Sequence, residues 1–158
     1  QRLKEMVFRF GYLTPKQRKY WSLRHKGLSQ AEISRMMGVT RQTVNKTLDA
    51  IDSRVSKALL EAAEINRIEV SRVDPKKGFL LGRSPSLGVD VLVTFSDRNG
   101  IQVWYRGEGG CSECSWRNSC REKLLFEAEE RGIELPEGAE EMEPSELAEI
   151  LFKKIVGG

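Results

Sequence analysis

The chain has 158 residues, with 26 Lys and Arg against 23 Asp and Glu, but its charge is unevenly distributed. Residues 1–70 carry a net charge of +7, residues 71–121 carry +3, and residues 122–158 carry −7. A basic front and an acidic end predict a polyanion-binding segment followed by a segment with another function. The composition, 39% apolar and 31% charged, is typical of a globular protein of one or two small domains.

Several classes of protein are disfavoured. No apolar run approaches the ~20 residues of a membrane-spanning helix, and no signal segment opens the sequence, so we expect no membrane partner and a cytoplasmic location. An odd number of cysteines, three, argues against a secreted disulfide scaffold. With one histidine, no phosphate-binding glycine loop and no carboxylates at metal spacing, the chain is not expected to be an enzyme.

Helix signals fill residues 12–65. Thr14 and Pro15 predict the cap and first residue of one helix. Ser29 caps the next, where Glu32 completes a capping box, and Gly38 ends that helix.

A third, longer helix follows Thr40. Its apolar positions are Val44, Leu48, Ile51, Val55, Ala58, Ala62 and Ile65. From Leu48 onward they form a heptad seam, which is the pattern of a coiled coil. The seam predicts either a helix that lies against the following strands or a helix that forms a dimer.

Residues 28–46 have the pattern of a helix-turn-helix. Ile33 belongs to the inner face of the supporting helix, Gly38 makes the turn, and Val44 returns the next helix to the same core. The outward positions of this next, recognition helix are Arg41, Gln42, Thr43, Asn45 and Lys46, all suited to base edges or phosphates in a major groove. The alternative is a helical hairpin with a solvated polar face. The combination of this inner face, the glycine turn and the polar outward positions, in a basic segment, nevertheless predicts binding to double-stranded DNA.

Other residues are added to this predicted interface. Phosphate contacts are expected from Lys16, Arg18 and Lys19, with Arg24, Lys26, Arg35 and Arg54 as further candidates. The predicted DNA-binding set also includes Ser29, Gln30 and Thr40. His25 is interpreted as a surface or backbone contact, and Tyr20 and Trp21 as core or subunit-contact aromatics.

Beyond residue 65 the period changes to two. Residues 89–96 and 101–105 alternate on either side of Asp97-Arg98-Asn99-Gly100. Asn-Gly is the strongest short hairpin signal, because both residues accept positive φ, so a hairpin is predicted here. Residues 66–73 and 78–82 are expected to add antiparallel strands. Helices are predicted over residues 121–131 and from Pro144 onward.

The segment from Leu13-Thr14-Pro15 to Ile51 is similar to the helix-turn-helix of sigma-factor region 4 and LuxR-type regulators. With its Asn99-Gly100-Ile101-Gln102-Val103-Trp104-Tyr105 hairpin, the chain up to about residue 106 resembles the archaeal Tfx family of transcriptional regulators. The resemblance implies a sequence-specific DNA-binding regulator with a basic N-terminal reader and a separate C-terminal domain. We expect a homodimer; the alternative is a sigma-like subunit of a larger transcription complex.

The expected fold class is therefore α+β, with a long recognition helix and a small antiparallel sheet. Residues 1–65 form the predicted helix-turn-helix domain. Residues 66–158 form a regulatory or dimerisation domain, with strands in 66–106, a cysteine loop at 111–120 and an acidic helical tail at 121–158. The tail could be a solvated face, a dimer contact, a surface for the transcription machinery, or a means of repelling DNA.

Cys111, Cys114 and Cys120 have the spacing C-x2-C-x5-C. Thiolates at this spacing can bind zinc or an iron–sulfur cluster, and the pattern is similar to WhiB-like iron–sulfur regulators, whose fourth, upstream cysteine is missing here. Glu113, Glu122, solvent, a small molecule or a second chain could supply the fourth ligand. The alternatives are a disulfide, Cys111–Cys120 or Cys114–Cys120, or plain thiols. Metal or disulfide chemistry would make the protein a metal- or redox-responsive sensor.

Overall fold

Helices come first in the computed structural model, then a four-stranded sheet, then further helices; the structure describes residues 13–107 and 115–157. The elements are α1 (Pro15–His25), α2 (Gln30–Met37), α3 (Arg41–Ile65), β1 (Glu69–Asp74), β2 (Phe79–Ser84), β3 (Val89–Ser96), β4 (Gly100–Tyr105), α4 (Arg117–Glu130), a 3₁₀ turn (Ala139–Glu141) and α5 (Pro144–Gly157). This order confirms the predicted α+β class. The predictions that concern Cys111 and Cys114 lie outside the described residues.

Side-chain caps fix the first two helix starts. Thr14 accepts from the backbone N–H of Gln17 and donates its own backbone N–H to the Gln17 side chain, a reciprocal capping box. Ser29 accepts from the backbone N–H of Glu32 at 3.2 Å, as predicted. The second half of the predicted box at Ser29 is wrong, because the Glu32 carboxylate accepts the Ser29 hydroxyl proton instead.

The sheet is an antiparallel meander in the order β1-β2-β3-β4, which confirms the predicted strands. The hairpin predicted between β3 and β4 is confirmed. Ser96 pairs with Gly100. Gly100 has a positive φ of 65°, whereas the φ of Asn99 is not positive. The connection is therefore a three-residue loop that closes on a glycine. Asn99 instead donates its side-chain amide to the carbonyl of Lys123, which ties the loop to α4.

One face of the sheet is covered by α3. The buried stripe of this helix is Val44, Leu48, Ile51, Val55, Leu59 and Ala63, and it packs against Leu80, Val91, Val93 and Phe95 of the sheet. Of the predicted continuation, Ala62 packs against this core and Ala58 is partly buried. The prediction for Ile65 is wrong, because Ile65 is 81% exposed. From Ile51 the buried residues are spaced by four, which is not the spacing of a heptad seam. Of the two predicted arrangements, the one in which α3 lies against the strands is therefore correct.

The acidic tail covers the other face. Leu124 of α4 and Leu147 and Leu151 of α5 pack against Phe79 and Leu92 of the sheet. The sheet thus lies between two helical layers, and the apolar sides of both tail helices are part of a core. The predicted boundary after Ile65 falls at the end of α3, and the first core extends across it to the strands.

A buried ion pair joins α4 to the sheet. Glu127 is fully buried and accepts from the Thr94 hydroxyl at 2.5 Å and from Arg131 Nη1 at 2.7 Å. Arg131 Nη2 also donates to the carbonyls of Gly78 and Phe95, at 3.0 and 2.9 Å. These two carbonyls lie at the ends of the two hairpins, so one guanidinium holds both hairpin ends against the end of α4.

Candidate nucleic-acid interface

The turn between α2 and α3 is short and tightly specified. Gly38 ends α2 in the left-handed conformation, with φ of 66°, and its N–H donates to the Ser34 carbonyl. Thr40 then caps α3 by accepting from the N–H of Thr43 at 3.1 Å. Because Ile33 and Val44 are both fully buried, α2 and α3 are held across a common core. Helices α2 and α3 and the turn between them therefore form one packed unit.

The start of α3 presents a polar surface. Its exposed side chains are those of Arg41, Gln42, Thr43, Asn45 and Lys46, while Val44 between them is buried. Two are cations and two are amides, and the first acidic residue of the helix is Asp49. The surface therefore combines positive charge with donors and acceptors that match phosphates and base edges.

Some of the predicted contact residues already have partners within the chain. The Ser29 and Thr40 hydroxyls act as helix caps, and Thr40 Oγ1 also lies 2.9 Å from Thr43 Oγ1. Gln30, the first residue of α2, donates from Nε2 to Asn45 Oδ1 at 2.7 Å. Nothing in the spacing of the sequence indicates this amide pair, which depends on how closely α2 crosses α3.

The basic residues of α1 separate into two groups. Lys16, Lys19 and Lys26 are exposed and form no ion pair with any residue in 13–107 or 115–157. Arg24, by contrast, forms a two-pronged ion pair with Asp52 at 2.6 and 3.1 Å and lies over the Trp21 ring. Both partners are largely buried, so Arg24 joins α1 to α3 and is engaged inside the fold.

Arg18 connects α1 to the β3–β4 loop. Its guanidinium pairs with both carboxylate oxygens of Asp97, which raises the pKa of Arg18. The backbone N–H of Asp97 in turn donates to the Glu130 carboxylate at 2.8 and 3.0 Å. Burial raises the pKa of Glu130 to about 7, against the opposing effects of that N–H and of Arg131. Arg18 remains half exposed, so the pair leaves it at the surface.

The aromatic residues of α1 belong to the core, and His25 packs beside them. Tyr20 and Trp21 are fully buried, which confirms one of their two predicted roles. His25 lies with its ring centroid 4.3 Å from that of Trp21 and hydrogen bonds to the backbone of Lys76. Burial, followed by the charges of Arg131 and Arg24, lowers the pKa of His25 to about 3, so the ring is neutral. His25 is thus the predicted backbone contact.

The cysteine prediction is tested only at its last residue. Cys120 lies in the first turn of α4, partly buried, as a free thiol. Over residues 13–107 and 115–157 no His, Cys, Asp and Glu side chains cluster in a way that could hold a metal. The zinc or iron–sulfur prediction for Cys111, Cys114 and Cys120 stays a prediction.

Comparison with known proteins adds no assignment. No family model, no curated protein and no solved structure matches the chain. Of the helices that the structure describes, none is long and apolar enough to cross a membrane.

Proposed function

We propose that this chain is a sequence-specific DNA-binding transcription regulator that inserts the start of α3 into the major groove. The observation that carries the proposal is the arrangement of that start: five polar side chains face solvent around the buried Val44, which anchors the helix in the core. A major groove accepts an α-helix, and residues of this kind read its base edges.

Lys16 and Lys19 of α1 are the proposed phosphate contacts. Contacts to phosphates set the position of a protein on the duplex without reading its sequence. Arg18 would add to them from its place beside Asp97. Arg24 is not included, because its guanidinium is engaged by Asp52.

The proposal includes a homodimer that acts in the cytoplasm and contacts the transcription machinery through another surface, without catalysis. A dimer would read two half-sites about one helical turn apart, and its two-fold symmetry would appear as an inverted repeat in the DNA. Sedimentation or light scattering of the free protein and of its DNA complex measures this state directly.

Selection of bound sequences from a random DNA pool, with and without reductant, tests the proposal. We expect enrichment of one inverted repeat, and any change on reduction would assign a role to the cysteines. Binding without sequence preference, weak and strongly salt-dependent, would refute the proposal and favour a subunit that works only in a larger complex.

Single variants separate base reading from phosphate binding. Gln42→Ala is expected to cost about 1–3 kcal/mol at the selected site and to spare non-specific binding. Lys19→Ala should weaken binding to all sequences and reduce the salt slope by about one. Arg24→Met serves as the contrasting variant, because it should lower the stability of the fold and leave the salt slope of DNA binding nearly unchanged. Equal losses on every sequence for Gln42→Ala would mean that α3 is not in the groove.

A further inference from the structure

Two amide side chains meet on the proposed DNA-reading surface. Gln30 begins α2 and Asn45 lies in the second turn of α3, and Gln30 Nε2 donates to Asn45 Oδ1 at 2.7 Å. We infer that Gln30 is a positioning residue that fixes the amide of Asn45 so that Asn45 reads an adenine in the bound DNA. The inference rests on the proposed function and deepens it.

The hydrogen bond decides what Asn45 can still offer. An amide oxygen has two acceptor positions and an amide nitrogen has two N–H donors. Gln30 occupies one acceptor position, which leaves one acceptor and two donors. In the major groove adenine presents the acceptor N7 beside the donor N6, whereas guanine presents two acceptors, thymine an acceptor beside a methyl group, and cytosine a donor. Adenine is therefore the base that can pair with both the free acceptor position and an N–H donor of the Asn45 amide.

The frame around the pair is rigid enough for this role. Ser29 caps α2 immediately before Gln30, and Thr40 caps α3 one turn before Asn45. Between them Ile33 and Val44 are fully buried, so the separation of the two helix starts is fixed by the core. An unrestrained asparagine would have to order its amide on binding, whereas one already held by Gln30 loses less conformational entropy.

A purely structural role predicts a different outcome. Both side chains are exposed, and a solvent-exposed hydrogen bond contributes little to the stability of a fold. If the pair serves recognition, removing Gln30 should therefore change DNA binding without changing the unfolding temperature. If the pair only holds α2 against α3, the unfolding temperature should fall and the base preference should persist.

The test uses the full chain and the duplex obtained by selection. Each adenine of the site is replaced in turn by 7-deazaadenine, which lacks the N7 acceptor, and Kd is measured by fluorescence anisotropy. At one position of each half-site the substitution should weaken binding by the wild-type protein about tenfold and should leave the Kd of Asn45→Ala unchanged. Gln42→Ala is the matched control: its affinity is lower, but it should keep the same sensitivity to 7-deazaadenine.

Gln30→Ala and the double variant complete a cycle. Gln30→Ala should lose most of the adenine preference at that position, and Gln30→Ala/Asn45→Ala should bind no more weakly than Asn45→Ala alone. Gln30→Glu should also lose the preference, because a carboxylate only accepts and would draw the Asn45 N–H group toward itself. The unfolding temperature, followed by circular dichroism, should stay unchanged in Gln30→Ala.

Additive losses in the double variant, or a wild-type protein insensitive to 7-deazaadenine at every position, would overturn the inference while leaving the proposed function intact. Failure of the wild-type protein to select any sequence would overturn both. A fall in the unfolding temperature of Gln30→Ala with the adenine preference retained would assign the pair to the fold alone.

Discussion

Arg131 offers the most informative perturbation of the fold. Its side chain is only 5% exposed, and it donates to the fully buried Glu127 and to the backbone carbonyls of Lys77, Gly78 and Phe95. Arg131→Met preserves much of the apolar stem and removes every one of these donors. The variant therefore leaves a buried carboxylate without its cation and loosens both hairpin ends from α4.

The expected loss follows from the desolvation of Glu127. Removing one partner of a buried ion pair typically costs 3–5 kcal/mol, because the remaining charge is uncompensated. The three carbonyls would add to this, but water that enters at the end of α4 would satisfy some of them. We therefore expect Arg131→Met to lower the free energy of unfolding by about 3–5 kcal/mol, a large fraction of the roughly 5–15 kcal/mol of an ordinary domain.

Urea denaturation followed by circular dichroism measures this loss by linear extrapolation. The control is Arg98→Met, because Arg98 makes only surface contacts: it pairs with Glu129 at 3.5 Å, where both side chains are largely exposed, and it lies over the Phe126 ring. Exposed contacts of these two kinds each contribute about 1 kcal/mol or less. Adding Glu127→Gln to Arg131→Met should recover part of the loss by removing the buried charge. A loss no larger than that of Arg98→Met, or a double variant less stable than Arg131→Met, would refute the reasoning.

Three further predictions concern packing, backbone and pH. Leu59→Ala should cost about 2–5 kcal/mol in urea unfolding and the neighbouring, exposed Leu60→Ala about 0.5 kcal/mol or less, because only Leu59 faces the sheet; equal losses would contradict the packing of α3. Gly78→Ala should lower the unfolding temperature much more than Gly88→Ala. Both glycines have a positive φ, which costs a residue with a side chain about 1–2 kcal/mol. Of the two, only Gly78 would also place the new Cβ 2.6 Å from the carbonyl oxygen of Phe95. Glu130 keeps its proton to about pH 7 in the folded chain and to about pH 4.5 when unfolded, so its contribution to stability is lost as pH rises between these values. The urea midpoint of the wild-type protein, compared with that of Glu130→Gln, should therefore fall between pH 4.5 and pH 7. A difference between the two midpoints that does not change with pH would contradict the raised pKa.

Local signals predicted most of the elements because each depends on a few adjacent residues. Thr14, Ser29 and Thr40 all cap helices, and Gly38 adopts the left-handed conformation that its place in the turn requires. The alternation in residues 89–96 located a strand of the sheet for the same reason. The exposed polar face at the start of α3 was predicted from helical periodicity, and it surrounds the buried Val44.

The failures came where the outcome depends on distant contacts. Along α3 a seam through Ala58 and a stripe through Leu59 fit the sequence about equally well, and the position of the sheet selects Leu59. The hydrogen bond from the Asn99 amide to the Lys123 carbonyl of α4 also depends on a distant contact and was not predicted. The Arg18–Asp97 pair joins residues 79 positions apart, which no local pattern indicates.

The three-layer order gives the charge division of the sequence a spatial meaning. Helices α4 and α5 lie with the acidic segment 131–143 between them on one face of the sheet, and α3 lies on the other. The sheet therefore separates most of the tail's negative charge from the proposed DNA-reading surface, and a molecule with opposite charges on two sides is oriented as it approaches a polyanion. The exceptions are Glu127 and Glu130, whose carboxylates point into the fold and are held there by Arg131 and by the Asp97 backbone. The buried Glu127 and the half-buried Glu130 of the acidic tail thus hold the end of β3 and the β3–β4 loop in place.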